Sequence, residues 1–157
     1  MAMKRRFGRS AATAALVAGV VAAGMVGATG TAHASNSKWY SCYGGEQVYN
    51  DPVIGGPYLC GGRWGDPKIV YFPDKVAQVF VVGTDHAIWT REMYRWDWGT
   101  SDPRDWKPWQ SLGGAVTGQV SIASEYGYTL QLVTTGTDGK SWYKNKEANG
   151  VWSGWFR

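Results

Sequence analysis

The chain has 157 residues, of which 15% are aromatic, and its formal net charge is +4. Four of its sixteen basic residues and none of its twelve acidic residues lie in residues 1–34, so the rest of the chain carries twelve of each and is neutral. Without net charge or a basic cluster, the remainder lacks the electrostatic attraction that nucleic-acid binding requires, and we expect no nucleic-acid partner.

Residues 1–34 have the features of a secretory signal peptide. The segment begins with basic residues, continues with an apolar run over residues 11–26, and ends with Ala32-His33-Ala34. The apolar run is short and made mostly of Ala, Gly and Val, which argues against a membrane anchor. The sequence therefore predicts cleavage after Ala34 and one secreted, extracellular domain over residues 35–157, with no membrane attachment after processing.

Residues 36–66 form an irregular segment, rich in Gly and Pro, for which we expect a strand or two. Cys42 and Cys60 are the only cysteines of the chain, and an even number in a secreted protein indicates a disulfide. A metal site is the alternative, but it would need more ligands than these, since His86 is the one histidine after residue 34. We expect neither a metal nor a cofactor.

Residues 67–157 contain short runs rich in β-forming residues, separated by turn residues, without a helical apolar pattern. The predicted strands of a first unit, residues 67–114, are 68–72, 77–82, 87–93 and 106–112. The predicted strands of a second unit, residues 115–157, are 119–123, 129–135, 140–146 and 151–156.

The two units repeat one motif. Gly83-Thr84-Asp85 precedes Trp89 and a Trp-x-x-Trp pair, and Gly136-Thr137-Asp138 precedes Trp142 and a second such pair. Repeats of about 40–50 residues with four antiparallel strands each are typical of propeller blades. The predicted fold class is all-β, with about two propeller-type blades and a disulfide-held N-terminal segment. Trp64 is a candidate for the last tryptophan of a degenerate preceding blade.

A family resemblance follows from these motifs. Residues 79–89, followed by Trp106-x-x-Trp109-x-x-Leu112-Gly113-Gly114, resemble one repeat of the PLL-like bacterial β-propeller lectins. The second unit keeps the Gly-Thr-Asp turn, Trp142 and its Trp-x-x-Trp pair. The resemblance implies sugar recognition in grooves between neighbouring blades, with fucose-type ligands in the best-known members.

The number of blades departs from that family, whose propellers have many. A blade cannot bury both of its faces alone, and an open array leaves sheet edges exposed. Three alternatives remain open: a homo-oligomer that completes a propeller, a monomer capped by residues 36–66, or a truncated remnant.

The candidate ligand-binding residues are aromatic and basic side chains that recur in the repeats, together with the tryptophans of an insertion in the first repeat, between Trp89 and Trp106. Aromatic faces stack on sugar rings, and cations or amides at the rim bind hydroxyl groups. The candidates are Trp96, Trp98, Trp89, Trp142, Arg91 and Lys144. For the recurrent tryptophans the alternative is packing between blades, and for Arg91 and Lys144 it is a solvated outer surface. Asp85 and Asp138 are predicted as turn residues.

Catalytic signatures are missing from the sequence. No G-x-S-x-G motif occurs, no spacing marks a pair of carboxylates, and Asp85-His86 is interpreted as part of a turn. The sequence thus predicts a secreted carbohydrate-binding, lectin-like module without catalytic activity, with a fucose-type sugar or a cell-wall glycan as partner. The alternatives are a structural or protein-interaction scaffold at the cell surface and a divergent secreted hydrolase.

Overall fold

The computed structural model describes residues 33–35, 42, 44–94 and 106–157, and this part of the chain is all-β, as the sequence predicts. It contains ten strands: β1 (His33–Ser35), β2 (Gln47–Tyr49), β3 (Tyr58–Cys60), β4 (Lys68–Tyr71), β5 (Ala77–Gly83), β6 (Ile88–Met93), β7 (Gln110–Gly113), β8 (Ser121–Tyr126), β9 (Thr129–Thr135) and β10 (Ser141–Lys146). A 3-10 turn, Gly62–Trp64, precedes β4, and the described residues contain no α-helix.

The first sheet is built around β5. One edge of β5 pairs with β4 over its first half and with β3 at its end, where Tyr58 lies opposite Gly83. Its other edge pairs with β6, which in turn pairs with β7. Strands β1 and β2 extend the sheet beyond β4 and β3, and every pairing is antiparallel. Strands β4 to β7 thus form a four-stranded antiparallel meander from the first repeat.

The second sheet has the order β10–β9–β8 and comes entirely from the second repeat. Both sheets are open, because neither order returns to its first strand. Two isolated bridges, from Trp152 and Phe156 to β10, stand where a fourth strand was predicted.

The predicted fourth strand is shorter than expected in the first repeat and is replaced by isolated bridges in the second, for a local reason in each case. In the first repeat Trp106 makes only an isolated bridge, and β7 begins at Gln110, because Pro108 has no N–H to continue the ladder. In the second repeat the backbone N–H of Asn145 donates to the side-chain oxygen of Ser153, at 2.9 Å, instead of to a backbone carbonyl. The other six predicted strands agree with β4, β5, β6, β8, β9 and β10 within a few residues.

A hydrophobic core lies between the two sheets. Phe80, Val82 and Ile88 of the first sheet pack with Leu130 and Leu132 of the second, and all five are buried. Every residue of β5 is buried, so both faces of this strand are covered. The first repeat is therefore the middle layer of the described structure.

Cys42, Val53 and Ile54 of the N-terminal segment pack on the opposite face of the first sheet, while β2 and β3 of the same segment extend that sheet. Ile54 and Cys60 pack there with Val79 and Val81 in a second buried cluster. The predicted disulfide is confirmed: Cys42 and Cys60 are bonded, with their Cα atoms 5.8 Å apart. The segment is thus packed against the first repeat, partly as strands of the same sheet and partly on its face.

A polar network joins the two sheets beside the core. The Lys146 ammonium, on a largely buried side chain, donates to Gln78 Oε1 at 2.6 Å and to Glu92 Oε1 at 3.1 Å. Lys107 donates to the other oxygen of Glu92 at 2.7 Å. Burial raises the pKa of Glu92, but the hydrogen bonds and charges of the two lysines lower it below its ordinary value. Glu92 is therefore ionised at neutral pH and fully paired.

Strand β1 spans the predicted cleavage position after Ala34 and pairs with β4 in the full-length chain. Cleavage at that position would remove two of its three residues, so the processed protein would lose most of this pairing. Among the described residues no helix has the length and apolar character needed to cross a bilayer.

Candidate functional site

The two Gly-Thr-Asp turns have the same geometry. The indole N–H of Trp89 donates to Asp85 Oδ1 at 3.0 Å, and the indole N–H of Trp142 donates to Asp138 Oδ1 at 3.1 Å. In each turn the same oxygen also accepts a backbone N–H two residues later, at 3.1 Å. Each aspartate therefore caps its turn, as predicted, and also orients the tryptophan that follows.

The glycine that opens each turn is required by that tryptophan. A Cβ atom on Gly83 would lie 2.5 Å from Cδ1 of Trp89, and one on Gly136 would lie 2.7 Å from Cδ1 of Trp142. Cβ atoms essentially never come this close to a ring, so a side chain here would displace the indole. The motif Gly-x-Asp-x-x-x-Trp is therefore one packing unit, and it occurs twice.

Replacing Gly136 by Ala should destabilise the protein by about 1–3 kcal/mol, the usual cost of forcing extra atoms into a packed contact. Gly154→Ala is the matched control, since nothing lies within 4 Å of its Cβ position. Chemical unfolding of both variants measures the difference. Equal free energies of unfolding for the two variants would contradict the packing role of Gly136.

Hydrogen bonds keep both turn aspartates ionised. Slight desolvation raises the pKa of Asp85, but the Ala87 N–H and the Trp89 indole bring it below its ordinary value. The Trp142 indole and the Lys140 N–H lower the pKa of Asp138. Both carboxylates are therefore charged acceptors at neutral pH, and each keeps an oxygen that can accept from a ligand.

A pocket opens beside each turn. The first pocket has a volume of about 280 Å³ and adjoins the Asp85 turn. Its walls are the turn, two tryptophans and a loop before β3: Gly56, Pro57, Val81, Gly83, Thr84, Asp85, Trp89 and Trp109.

The second pocket has a volume of about 360 Å³ and adjoins the Asp138 turn. Its walls are the corresponding turn, strand and tryptophans of the second repeat and the loop at the junction of the repeats: Gly114, Ala115, Val116, Thr134, Gly136, Thr137, Asp138, Trp142 and Trp155. Apart from the loop, each wall residue of the first pocket has its repeat equivalent here. The two pockets are therefore copies of one site.

The loop wall of the first pocket comes from the N-terminal segment. Tyr58 pairs with Gly83, as Val116 bridges Gly136, so residues 54–56 correspond to Leu112-Gly113-Gly114, and Gly56 of the first pocket corresponds to Gly114 of the second. Residues 54–56 therefore match the end of a preceding repeat. Trp64 does not lie at that end, because it is in the 3-10 turn and packs on His86.

Arg91 and Lys144 lie behind the pockets. The Arg91 guanidinium is 5.3 Å from the ring centroid of Trp109 and donates to the Ile54 carbonyl at 2.9 Å. The Lys144 ammonium is 5.4 Å from the ring centroid of Trp155 and donates to the Ser153 carbonyl at 2.6 Å. Burial lowers the pKa of Lys144. Both cations support a pocket tryptophan from outside the pocket lining.

The structure brings together part of the predicted site. Trp89 and Trp142 line the two pockets, whereas Arg91 and Lys144 are not among the lining residues. Trp96 and Trp98 lie outside the described residues. The pocket residues that the prediction omitted are chiefly Trp109, Trp155 and the threonines of the two turns. Their recurrence at corresponding positions of the two repeats is the sequence feature that could have identified them.

Comparison with known proteins adds no assignment. No protein-family model matches the chain. A search of curated proteins also finds no matching relative.

Proposed function

We propose that the protein is a secreted carbohydrate-binding module with one sugar site in each of its two repeats. The observation that supports this proposal is the duplicated pocket, in which two half-buried tryptophans face an ionised, partly exposed aspartate. Aromatic rings offer faces for the apolar side of a pyranose, and the remaining lone pairs of the aspartate Oδ2 and the turn threonine offer partners for its hydroxyl groups. The volumes suit a small ligand, being near the lower limit of ordinary ligand sites, about 300 Å³.

The two repeats are, in this proposal, propeller-type blades like those that the PLL-like lectin resemblance implies. Three features support it: the four-stranded meander of the first repeat, the stacking of the second sheet on it, and a pocket between each repeat and the segment before it. The outward face of the second sheet favours a capped pair over a ring. Positions 133, 135 and 141 there hold Val, Thr and Ser, where the first repeat buries Phe80, Val82 and Ile88.

A polar outer face is what terminal repeats of stacked arrays need for solubility. We therefore propose a monomer in which residues 42–66 cover one side of the first blade. The disulfide supports secretion into an oxidising compartment.

A glycan array probed with the disulfide-bonded protein tests the proposed function. We expect saturable binding to a defined group of glycans, and loss of that binding in the variant Trp89→Ala/Trp142→Ala. Because these tryptophans also pack on Gly83 and Gly136, a second variant is needed that leaves the packing unit intact. The variant Thr84→Arg/Thr137→Arg should block both pockets without disturbing that packing, because both threonines are exposed and line the pockets.

The control is Thr135→Arg, at an exposed position of β9 that is not part of either pocket. It should bind glycans as the unmodified protein does. Absence of binding to any glycan would contradict the proposal and favour a scaffold. Full binding by the doubly blocked variant would place the sugar site elsewhere.

A further inference from the structure

The two pockets differ in charge at one rim position. Residues 152–155 of the second repeat correspond to 106–109 of the first, so Arg157 corresponds to Ser111. The strand pairing supports this correspondence. Ser111 lies opposite Trp89, and the bridge between Tyr143 and Phe156 brings Arg157 next to Trp142.

Arg157 contacts two residues of the second pocket. Its guanidinium carbon is 5.0 Å from the ring centroid of Trp142, and its Nη1 is 3.7 Å from Asp138 Oδ2. At the corresponding place in the first pocket the Ser111 hydroxyl accepts the N–H of Gly113, at 3.1 Å. The second pocket thus has a cation at its rim where the first has a small neutral side chain.

The guanidinium of Arg157 is available to a ligand. About half of its side chain is exposed, and 3.7 Å to Asp138 is longer than a hydrogen bond. Asp138 does not depend on Arg157 for its partners, because its other oxygen already accepts the N–H groups of Trp142 and Lys140. An incoming carboxylate could therefore take bidentate hydrogen bonds from Arg157 without leaving Asp138 unpaired.

We infer that the second pocket prefers sugars that carry a carboxylate, such as uronic acids, over their neutral counterparts, whereas the first pocket does not distinguish the two. This inference rests on the proposed function, because it concerns the ligand of the same sites. An ionised hexuronate differs from its hexose only in the group at C6. It can stack on Trp142 as the neutral sugar does and add a charged contact to Arg157.

The test uses matched methyl glycosides of glucose and glucuronate, of galactose and galacturonate, and of mannose and mannuronate. Each is titrated into ¹⁵N-labelled protein at low ionic strength. The indole N–H signals of Trp89 and Trp142 report on the two pockets separately. For at least one pair we expect the uronate to bind at Trp142 about five-fold more tightly than its neutral counterpart, a preference that salt weakens. At Trp89 we expect no such preference.

Reciprocal substitutions assign the preference to the rim position. Arg157→Ser should abolish the preference at Trp142, and Ser111→Arg should create one at Trp89. Arg63→Ser is the matched control, since Arg63 also lies over a tryptophan, at 4.8 Å, beside a carboxylate, Glu46, but outside both pockets. It should leave the preference unchanged.

The outcomes separate this inference from the proposed function. Equal binding of neutral and acidic sugars at both pockets would overturn the inference and leave the proposed function standing. A preference at Trp142 that survives Arg157→Ser would also overturn it. If none of the six glycosides shifts either indole signal, the inference is contradicted, and the glycan array decides the proposed function.

Discussion

Replacing Phe80 by Ala should lower the free energy of unfolding by about 3–5 kcal/mol, the usual cost of removing a fully buried aromatic ring. Phe80 is completely buried between the two sheets, and its ring meets the edge of Trp152 with the centroids 5.9 Å apart. The second sheet can move only partly into the resulting cavity. The hydrogen bonds from Lys146 to Gln78 and Glu92 hold that sheet in place. Chemical denaturation measures the loss.

Val133 provides the comparison, because it occupies the equivalent position in the second repeat. It is half-buried on the face that no further sheet covers in the described structure. Val133→Ala should therefore cost about 1 kcal/mol or less. Comparable losses for Phe80→Ala and Val133→Ala would mean that another layer covers the second repeat, as in a completed ring.

Replacing both Cys42 and Cys60 by Ala should lower the free energy of unfolding by about 2–5 kcal/mol. The bond ties residue 42 to β3, and Cys60 is completely buried in the cluster that covers the first sheet. Without it the unfolded chain gains freedom, and the N-terminal layer is held only by packing and by hydrogen bonds such as that from the Cys42 N–H to Asp66, at 2.7 Å.

Adding reductant to the unmodified protein and to the double variant provides the control for this prediction. Thermal unfolding of the unmodified protein in reductant should resemble that of the double variant, and the double variant should not respond to reductant. Equal melting temperatures for the oxidised protein and the double variant would show that the disulfide does not stabilise the fold.

Most of the secondary structure could be predicted because its determinants are local. Strands β5 and β9 are bounded by Gly-Thr-Asp turns, and short β-rich runs separated by turn residues identify the others. The predicted fourth strand was too long in the first repeat and wrong in the second, because a proline and the Ser153 side chain interrupt the ladder there. These effects depend on which backbone groups face each other, and periodicity does not show that.

The pockets were predictable only in part. Recurrence of Trp89 and Trp142 supports them as candidates, but the same recurrence applies to Trp109 and Trp155, which the candidate residues did not include. Arg91 and Lys144 also recur, yet they contact a pocket tryptophan without lining the pocket. Side chains two residues apart on a strand lie on the same face, but they need not line the same pocket. The place of Gly56 and Pro57 in the wall of the first pocket depends on a contact across the sheet, which the sequence does not show.

The number of sugars bound per chain tests the central claim most directly. Titration calorimetry with a glycan identified on the array should give two sites per chain for the unmodified protein. Thr84→Arg and Thr137→Arg should each reduce this number to one, and the double variant should bind none. Two sites per chain in the double variant, or a single site in the unmodified protein that neither substitution removes, would contradict the claim that the repeated pockets are the binding sites.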